Sequence, residues 1–196
     1  MYDNTLEIFG TISGLLYLYL EIKQRPAMWI VGIINAIIYL LVFFNAKIYA
    51  DASLQVYYVS VSVYGLMLWR RSILGTQTES SKQVQTIEYR MMSSSMWCYI
   101  IVASTILTLA MYAILSRYTD SPVPMGDAIT TSLSIVATWM LAKRFIEHWG
   151  FWVVINTISI YIYWIRELNY TVLLYLFYGI FAIVGLYTWK KQGNKV

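Results

Sequence analysis

The longest uncharged run in this chain constrains everything else: between Arg90 and Arg117 there is no Asp, Glu, Lys, Arg or His. It is one of seven apolar stretches. Residues 26–46 and 52–69 are also free of charge, and the rest cover roughly residues 6–20, 128–142, 149–165 and 168–189. A helix needs about 17–25 predominantly apolar residues to cross a bilayer, and most of these stretches reach that length. The first and fifth reach it only when their ends are counted. The runs are continuous rather than alternating, which excludes the ~10-residue strands of a membrane barrel. Composition agrees: 59% of residues are apolar and 12% charged, against about 45–50% and about 25% in soluble chains. An all-α integral membrane protein with seven transmembrane helices is the expected fold class. A disordered chain, a disulfide scaffold and an ordinary cytosolic enzyme are excluded. The single cysteine, Cys98, and the single histidine, His148, leave no cysteine-clustered or two-histidine metal site. No cofactor is expected.

Basic residues give the orientation. With seven spans the loops alternate sides. One side then holds Lys23 and Arg25; Arg70, Arg71, Lys82 and Arg90; Lys143 and Arg144; and Lys190, Lys191 and Lys195. The other holds only Lys47, Arg117 and Arg166. The positive-inside rule puts the first side in the cytoplasm, the N-terminus outside and the C-terminus inside. The start of the chain lacks the basic segment of a cleaved signal peptide, so the first stretch is read as a retained helix. Residues 72–95 form the one long polar segment, rich in Ser, Thr and Gln, and read as a cytoplasmic loop.

The chain also repeats itself. A shift of 120 residues brings Lys23 onto Lys143, Trp29 onto Trp149, Leu54 onto Leu174 and Tyr58 onto Tyr178. It also brings the segment from Gly65 to Arg71 onto that from Gly185 to Lys191, with Gly, Trp and two basic residues in register. Glu7 meets Asp127, both at outer helix ends, where each can draw in cations or complement the helix dipole. Asn35 and Asn156 miss each other by one position. The expected organisation is a three-helix repeat (1–71), the loop (72–95), a connecting helix (96–118) and a second three-helix repeat (119–196). A single connecting helix makes the repeat parallel, and parallel repeats belong to transporters that hold substrate where the repeats meet.

Polar side chains within the stretches are the candidate substrate contacts. Trp149, Trp152 and Asn156 have the spacing W-x-x-W-x-x-x-N on one helical face, and Tyr163 continues it. An amide in hydrocarbon costs free energy unless paired, so this face is a substrate wall or a helix-packing seam with interfacial anchors. Asn35 and Tyr39 share a face of the second stretch. Gln55, Tyr58 and Ser62 make a polar stripe on the third, and Thr130, Thr131, Ser134 and Thr138 one on the fifth. Trp and Tyr faces attract organic cations, worth about 2 kcal/mol or more when desolvated. No ionisable residue lies at mid-span, where proton-driven pumps usually carry one, and no phosphate-binding loop is present. Passive, facilitated passage of a small molecule remains. A membrane-embedded enzyme lacks its catalytic cluster here. A seven-helix sensor would bind substrate without accumulating it.

These motifs resemble the PnuC-type family of bacterial vitamin transporters: the tryptophan motif at Trp149, Trp152 and Asn156, the segment from Tyr49 to Gln55, and the Gly-x-x-x-Trp-basic ends of the third and seventh helices. The resemblance implies a 3+1+3 parallel repeat similar to a full-length SWEET transporter, often a homotrimer, in the bacterial inner membrane. It implies facilitated diffusion of an unphosphorylated vitamin, trapped inside by phosphorylation. It also implies that Trp149, Trp152, Asn156 and Gln55 bind substrate. The many aromatics and few amides favour thiamine and the branch often called PnuT; nicotinamide riboside is the alternative.

Overall fold

The computed structural model describes residues 4–45, 49–76, 89–165, 167 and 169–193. Among the described residues seven α-helices follow one another: α1 (Asn4–Ile22), α2 (Ala27–Asn45), α3 (Tyr49–Thr76), α4 (Ser94–Tyr118), α5 (Pro124–Ala142), α6 (His148–Ile165) and α7 (Asn169–Gly193). Each overlaps one of the apolar stretches. Their 18 to 28 residues correspond to about 27–42 Å at 1.5 Å per residue, close to the ~30 Å of bilayer hydrocarbon. Lys47, Lys82, Arg166, Leu168, Lys195 and residues 77–88 of the polar segment lie outside the described residues, as does the side chain of Glu7.

The apolar signal is uneven. Among the described residues, α4 and the stretch Thr171–Gln192 of α7 are long and apolar enough to cross a membrane by composition alone. α1 and α2 contribute shorter apolar segments, Ile12–Ile22 and Ala27–Val42. Seven transmembrane helices are expected from the sequence; among the described residues two helices meet that criterion by composition alone. The reason is physical: α3, α5 and α6 spend part of their length on Gln, Asn, Ser, Thr, Tyr and Trp, which lower hydropathy without adding charge.

Exposure is inverted relative to a water-soluble protein. Ile30, Ile34, Ile37, Leu41 and Phe44 form an exposed stripe along α2. The positions 120 residues later, Gly150, Val154, Thr157, Tyr161 and Trp164, form the same exposed stripe along α6. Ser13, Glu21, Ser62, Ser132, Asn156 and Ser159 are buried. Apolar side chains outside and polar ones inside are what lipid as solvent selects.

Contacts divide the chain into two compact units, residues 1–88 and 89–196. In the first, α2 packs against both α1 and α3. Gly32 of α2 is where the three meet: a Cβ there would lie 3.1 Å from the Ser62 hydroxyl on α3 and 3.2 Å from the Tyr17 ring on α1. In the second, α4 packs on α5, α5 on α6 and α6 on α7. Flanked on both sides, α5 buries Ala128, Ser132, Val136, Ala137, Met140 and Leu141. Ile100 of α4 joins Val136 and Met140 in an apolar cluster that Phe145 and Phe151 complete. The chain entering α4 is clasped to the α5–α6 turn: the Arg90 amide donates to the Arg144 carbonyl at 2.8 Å, the Ile146 amide to the Arg90 carbonyl at 3.0 Å, and the Met92 amide to Glu147 Oε1 at 2.8 Å.

The 120-residue repeat extends to backbone hydrogen bonds. α1 ends with Gln24 in the left-handed region at φ 52°, and α5 ends with Arg144 there at φ 64°. The Arg25 amide reaches back to the Leu20 carbonyl and the Gln24 amide to that of Glu21; Phe145 reaches Met140 and Arg144 reaches Leu141 in the same way. This is the Schellman arrangement, which satisfies the last carbonyls of a helix. It directs the chain into α2 and α6 so that Trp29 and Trp149 each lie in the first turn. There the two rings do the same thing. Trp29 packs edge-on to Trp69 at 5.8 Å and 84°, and Trp149 to Trp189 at 5.7 Å and 84°. A Cβ on Gly65 would fall 2.5 Å from the Trp29 ring, and one on Gly185 2.4 Å from the Trp149 ring.

Those distances leave no room for a methyl group against a rigid ring. Gly65→Ala and Gly185→Ala are each expected to cost about 1–3 kcal/mol through overpacking. Gly150→Ala, where a Cβ meets nothing within 4 Å on an exposed helical face, is expected to gain up to about 1 kcal/mol from helix propensity. Melting temperatures of the purified protein in detergent, down for the first two and level or up for the third, check this.

Candidate functional site

Trp149, Asn156 and Tyr163 of α6 lie along its seam with α7. Residues seven apart return to one helical face, and Trp149, Asn156 and Tyr163 do so against successive points on α7. The Trp149 ring covers Gly185. The Asn156 Cβ lies 3.8 Å from where a Gly179 Cβ would be. The Tyr163 ring sits 5.0 Å from that of Tyr175, which in turn meets Tyr178 at 5.8 Å.

The three motif residues differ in what they have left to offer a ligand. Trp149 is 0% exposed. Its ring is enclosed by Gly185, Trp189 and the His148 imidazole at 4.6 Å. His148 is itself held by its Nδ1, 2.6 Å from the Phe145 carbonyl; since a carbonyl only accepts, that nitrogen carries the proton. Asn156 is 5% exposed. Trp152 is half-buried.

Ser159, one turn beyond Asn156, is 5% exposed, and Ser132 of α5 is fully buried with an unpartnered hydroxyl. The stripe expected on α5 is partly spent on its own helix: the Thr138 hydroxyl donates to the Ser134 carbonyl, and Thr130 bonds the carbonyls of Gly126 and Asp127. Asp127 accepts the Ser121 hydroxyl at 2.5 Å in the first turn of α5, where a carboxylate complements the dipole.

In the first unit, Asn35 is tied to α1: the Ser13 hydroxyl lies 3.0 Å from its Oδ1 and 2.6 Å from the Phe9 carbonyl. Tyr39 follows one turn on, half-buried. On α3, Gln55 and Tyr58 are half-buried, with the Tyr57 ring 5.6 Å from that of Tyr58. Ser62 turns toward Gly32 and serves helix packing. The structure also settles the near match between the two asparagines. With the repeat at 120, Asn35 corresponds to Ile155 and Asn156 to Ala36. Asn35 bonds across to the first helix of its unit, and Asn156 faces the last helix of its own.

Ser159, Tyr175 and Tyr178 are polar or aromatic neighbours of this face that sequence reasoning did not select. The repeat carried the signal, since Tyr39, Gln55 and Tyr58 map onto these three positions.

Several comparisons bear on this site. Residues 4–191 match the family model for nicotinamide mononucleotide transporters. The nicotinamide riboside transporter PnuC of Escherichia coli is 26% identical over 216 residues, covering 99% of this chain and 89% of that protein. The transporter of the same name from Neisseria mucosa is 24% identical, covering 96% of this chain and 73% of that one. A crystal structure of the vitamin B3 transporter PnuC superposes with a TM-score of 0.75 at 22% identity, covering 98% of this chain and 83% of that chain; this is a likeness of fold. These names carry nicotinamide riboside and vitamin B3, and the preference for thiamine drawn from composition finds no support in them.

The two asparagines should separate in stability. Asn35→Ala loses the contact with Ser13 and is expected to cost about 0.6–1.5 kcal/mol. Asn156→Ala should cost less than Asn35→Ala in the ligand-free protein, since the Asn35 contact ties α2 to α1. Thermal melting of both variants checks the contrast.

Proposed function

The chain belongs to the nicotinamide mononucleotide transporter family, and on that premise we propose that it carries nicotinamide riboside across the bacterial inner membrane by facilitated diffusion. The observation that carries this reading is the α6 face: Asn156, 5% exposed, lies one turn from the half-buried ring of Trp152, on a helix of an inverted, lipid-facing fold. Nicotinamide riboside suits such a pair. Its cationic ring stacks on an indole, and its carboxamide and hydroxyls pair with amides.

We assign the substrate contacts to Trp152, Asn156 and Tyr163 in the second unit, and to Asn35, Tyr39, Gln55 and Tyr58 in the first. Trp149, at the foot of the α6 face, holds the seam on which that face is built. The relatives that the chain matches are named transporters, which supports reading it as a carrier and not as an enzyme. A carrier of this kind equilibrates its substrate and needs a cytoplasmic reaction, such as phosphorylation, to draw net uptake. The basic turns around Lys23 and Lys143 face the cytoplasm in this reading, the N-terminus lies outside, and the assembly is a homotrimer.

The test is to titrate the purified protein with nicotinamide riboside and, separately, thiamine, following tryptophan fluorescence, and then to measure uptake into liposomes. Saturable quenching and uptake are expected for the riboside, and Trp152→Ala should weaken its binding at least tenfold, about 1.4 kcal/mol. A response to thiamine alone, or binding without uptake, would overturn the reading.

A further inference from the structure

We propose that Trp149 and Trp29 are paired positioning residues: each pins one helix to the next, α6 to α7 and α2 to α3, so that each pair moves as a single body during transport. Neither touches the substrate. The inference rests on the transport reading above and deepens it by dividing the tryptophan motif into a mechanical part and a binding part.

Three observations carry it. The first is enclosure. Both rings are 0% exposed. One face of each lies against a glycine, Gly65 or Gly185, closely enough that a Cβ there would fall at 2.5 Å or 2.4 Å. One edge of each meets a second tryptophan four residues further along the same helix, at 5.8 Å or 5.7 Å and the same 84°. A ring so enclosed has no face on which a flat ligand can stack.

The second is how the repeat treats the motif. Trp149, Trp152 and Asn156 on α6 correspond to Trp29, Gly32 and Ala36 on α2. The first position is the same in both halves, with the same glycine and the same second tryptophan. The other two are present only on α6. A feature shared by both halves serves what both halves do, which is to hold a helix pair together. The features found on one half serve what only that half does.

The third is polar bookkeeping. The indole N–H of Trp29 and that of Trp149 are both buried without a partner. The rings are therefore held by shape and not by a hydrogen bond. This makes phenylalanine a clean probe, because it removes an unpaired donor and breaks no bond. It also shortens the ring system: the Trp149 atoms nearest to a Cβ on Gly185 all belong to the outer six-membered ring, and phenylalanine does not extend that far. Trp149→Phe leaves the joint loose, Gly185→Ala overfills it, and the double variant puts a methyl group into the space the shorter ring vacates.

The experiment uses the full chain in liposomes. For Trp149→Phe, Gly185→Ala and the double variant it measures the dissociation constant for nicotinamide riboside, the initial uptake rate per binding-competent protein, and the melting temperature. The expected result is a dissociation constant within threefold of the unmodified protein in all three. Uptake per site should fall at least fivefold in each single variant and return to within twofold in the double. A tenfold or greater loss of affinity in Trp149→Phe would make that ring a substrate contact and overturn the proposal. So would a double variant no faster than the slower single. If the unmodified protein neither binds nor carries the riboside, the functional reading fails. Melting temperatures still test the joint in that case, because mutual compensation between Gly185→Ala and Trp149→Phe needs no ligand. The Gly65 and Trp29 pair repeats the test on the other joint.

Discussion

Close approach at glycine is what the rest of this structure depends on. A fold that turns Ile30, Ile34, Ile37, Leu41 and Phe44 outward gains nothing from hiding apolar surface from a solvent that is itself apolar. Its helices must be held by shape and by short-range packing. Gly32, Gly65, Gly126 and Gly185 each sit where a Cβ would meet a neighbour at between 2.4 and 3.1 Å. Two of them seat a tryptophan, one brings three helices together, and one lets Ile162 of α6 lie against α5. Trp29 and Trp149 are buried against glycines, where a flat ring on bare backbone gains close dispersion contact.

The repeat shows which parts of the design are architectural. The turn after α1 and the turn after α5 reproduce each other amide by amide, down to a non-glycine residue in the left-handed region. Such a conformation costs on the order of 1–2 kcal/mol for a residue with a Cβ. Its presence at both Gln24 and Arg144 says that the geometry of the turn matters more than the comfort of the residue in it. The halves diverge where chemistry is specific. The first joins α1 to α2 through Ser13 and Asn35, a contact the second half lacks, since the position matching Ser13 is Leu133. The second half has a clasp of its own, from Arg90 to Met92 across the α5–α6 turn.

The helices were legible because their signal is one-dimensional: an uncharged run long enough to span, flanked by charge. The repeat was legible because Gly, Trp and basic residues are too uncommon in apolar sequence to coincide by chance in number. Contacts across helices were not legible. Ser13 gives no sign in the sequence that it meets Asn35, because that depends on the crossing angle and depth of α1 on α2. The spacing of Trp149, Trp152 and Asn156 puts them on one helical face, but spacing cannot say what covers it. Trp149 and Asn156 lie toward α7, with the Trp149 ring enclosed at Gly185 and Asn156 5% exposed, while Trp152 is half-buried.

The preference for thiamine, which the names of the relatives do not support, rests on a related weakness. Counting Asn and Gln as the hydrogen-bonding capacity of an apolar protein treats amides as the only polar groups worth burying. Hydroxyls are cheaper to bury and more numerous here. Ser132 and Ser159 are enclosed in the second unit beside an apolar background, and the Ser132 hydroxyl has no partner. Hydroxyls of this kind both donate and accept, as side-chain amides do, and so add to the groups that can pair with the hydroxyls of a ribose. The composition of the chain therefore carries more capacity to recognise a sugar than its amide content suggests. The aromatic excess that pointed to a cationic ring fits nicotinamide riboside as well as thiamine, since both are cations. Aromatic content selects the charge of the ligand, and buried polar groups select its shape.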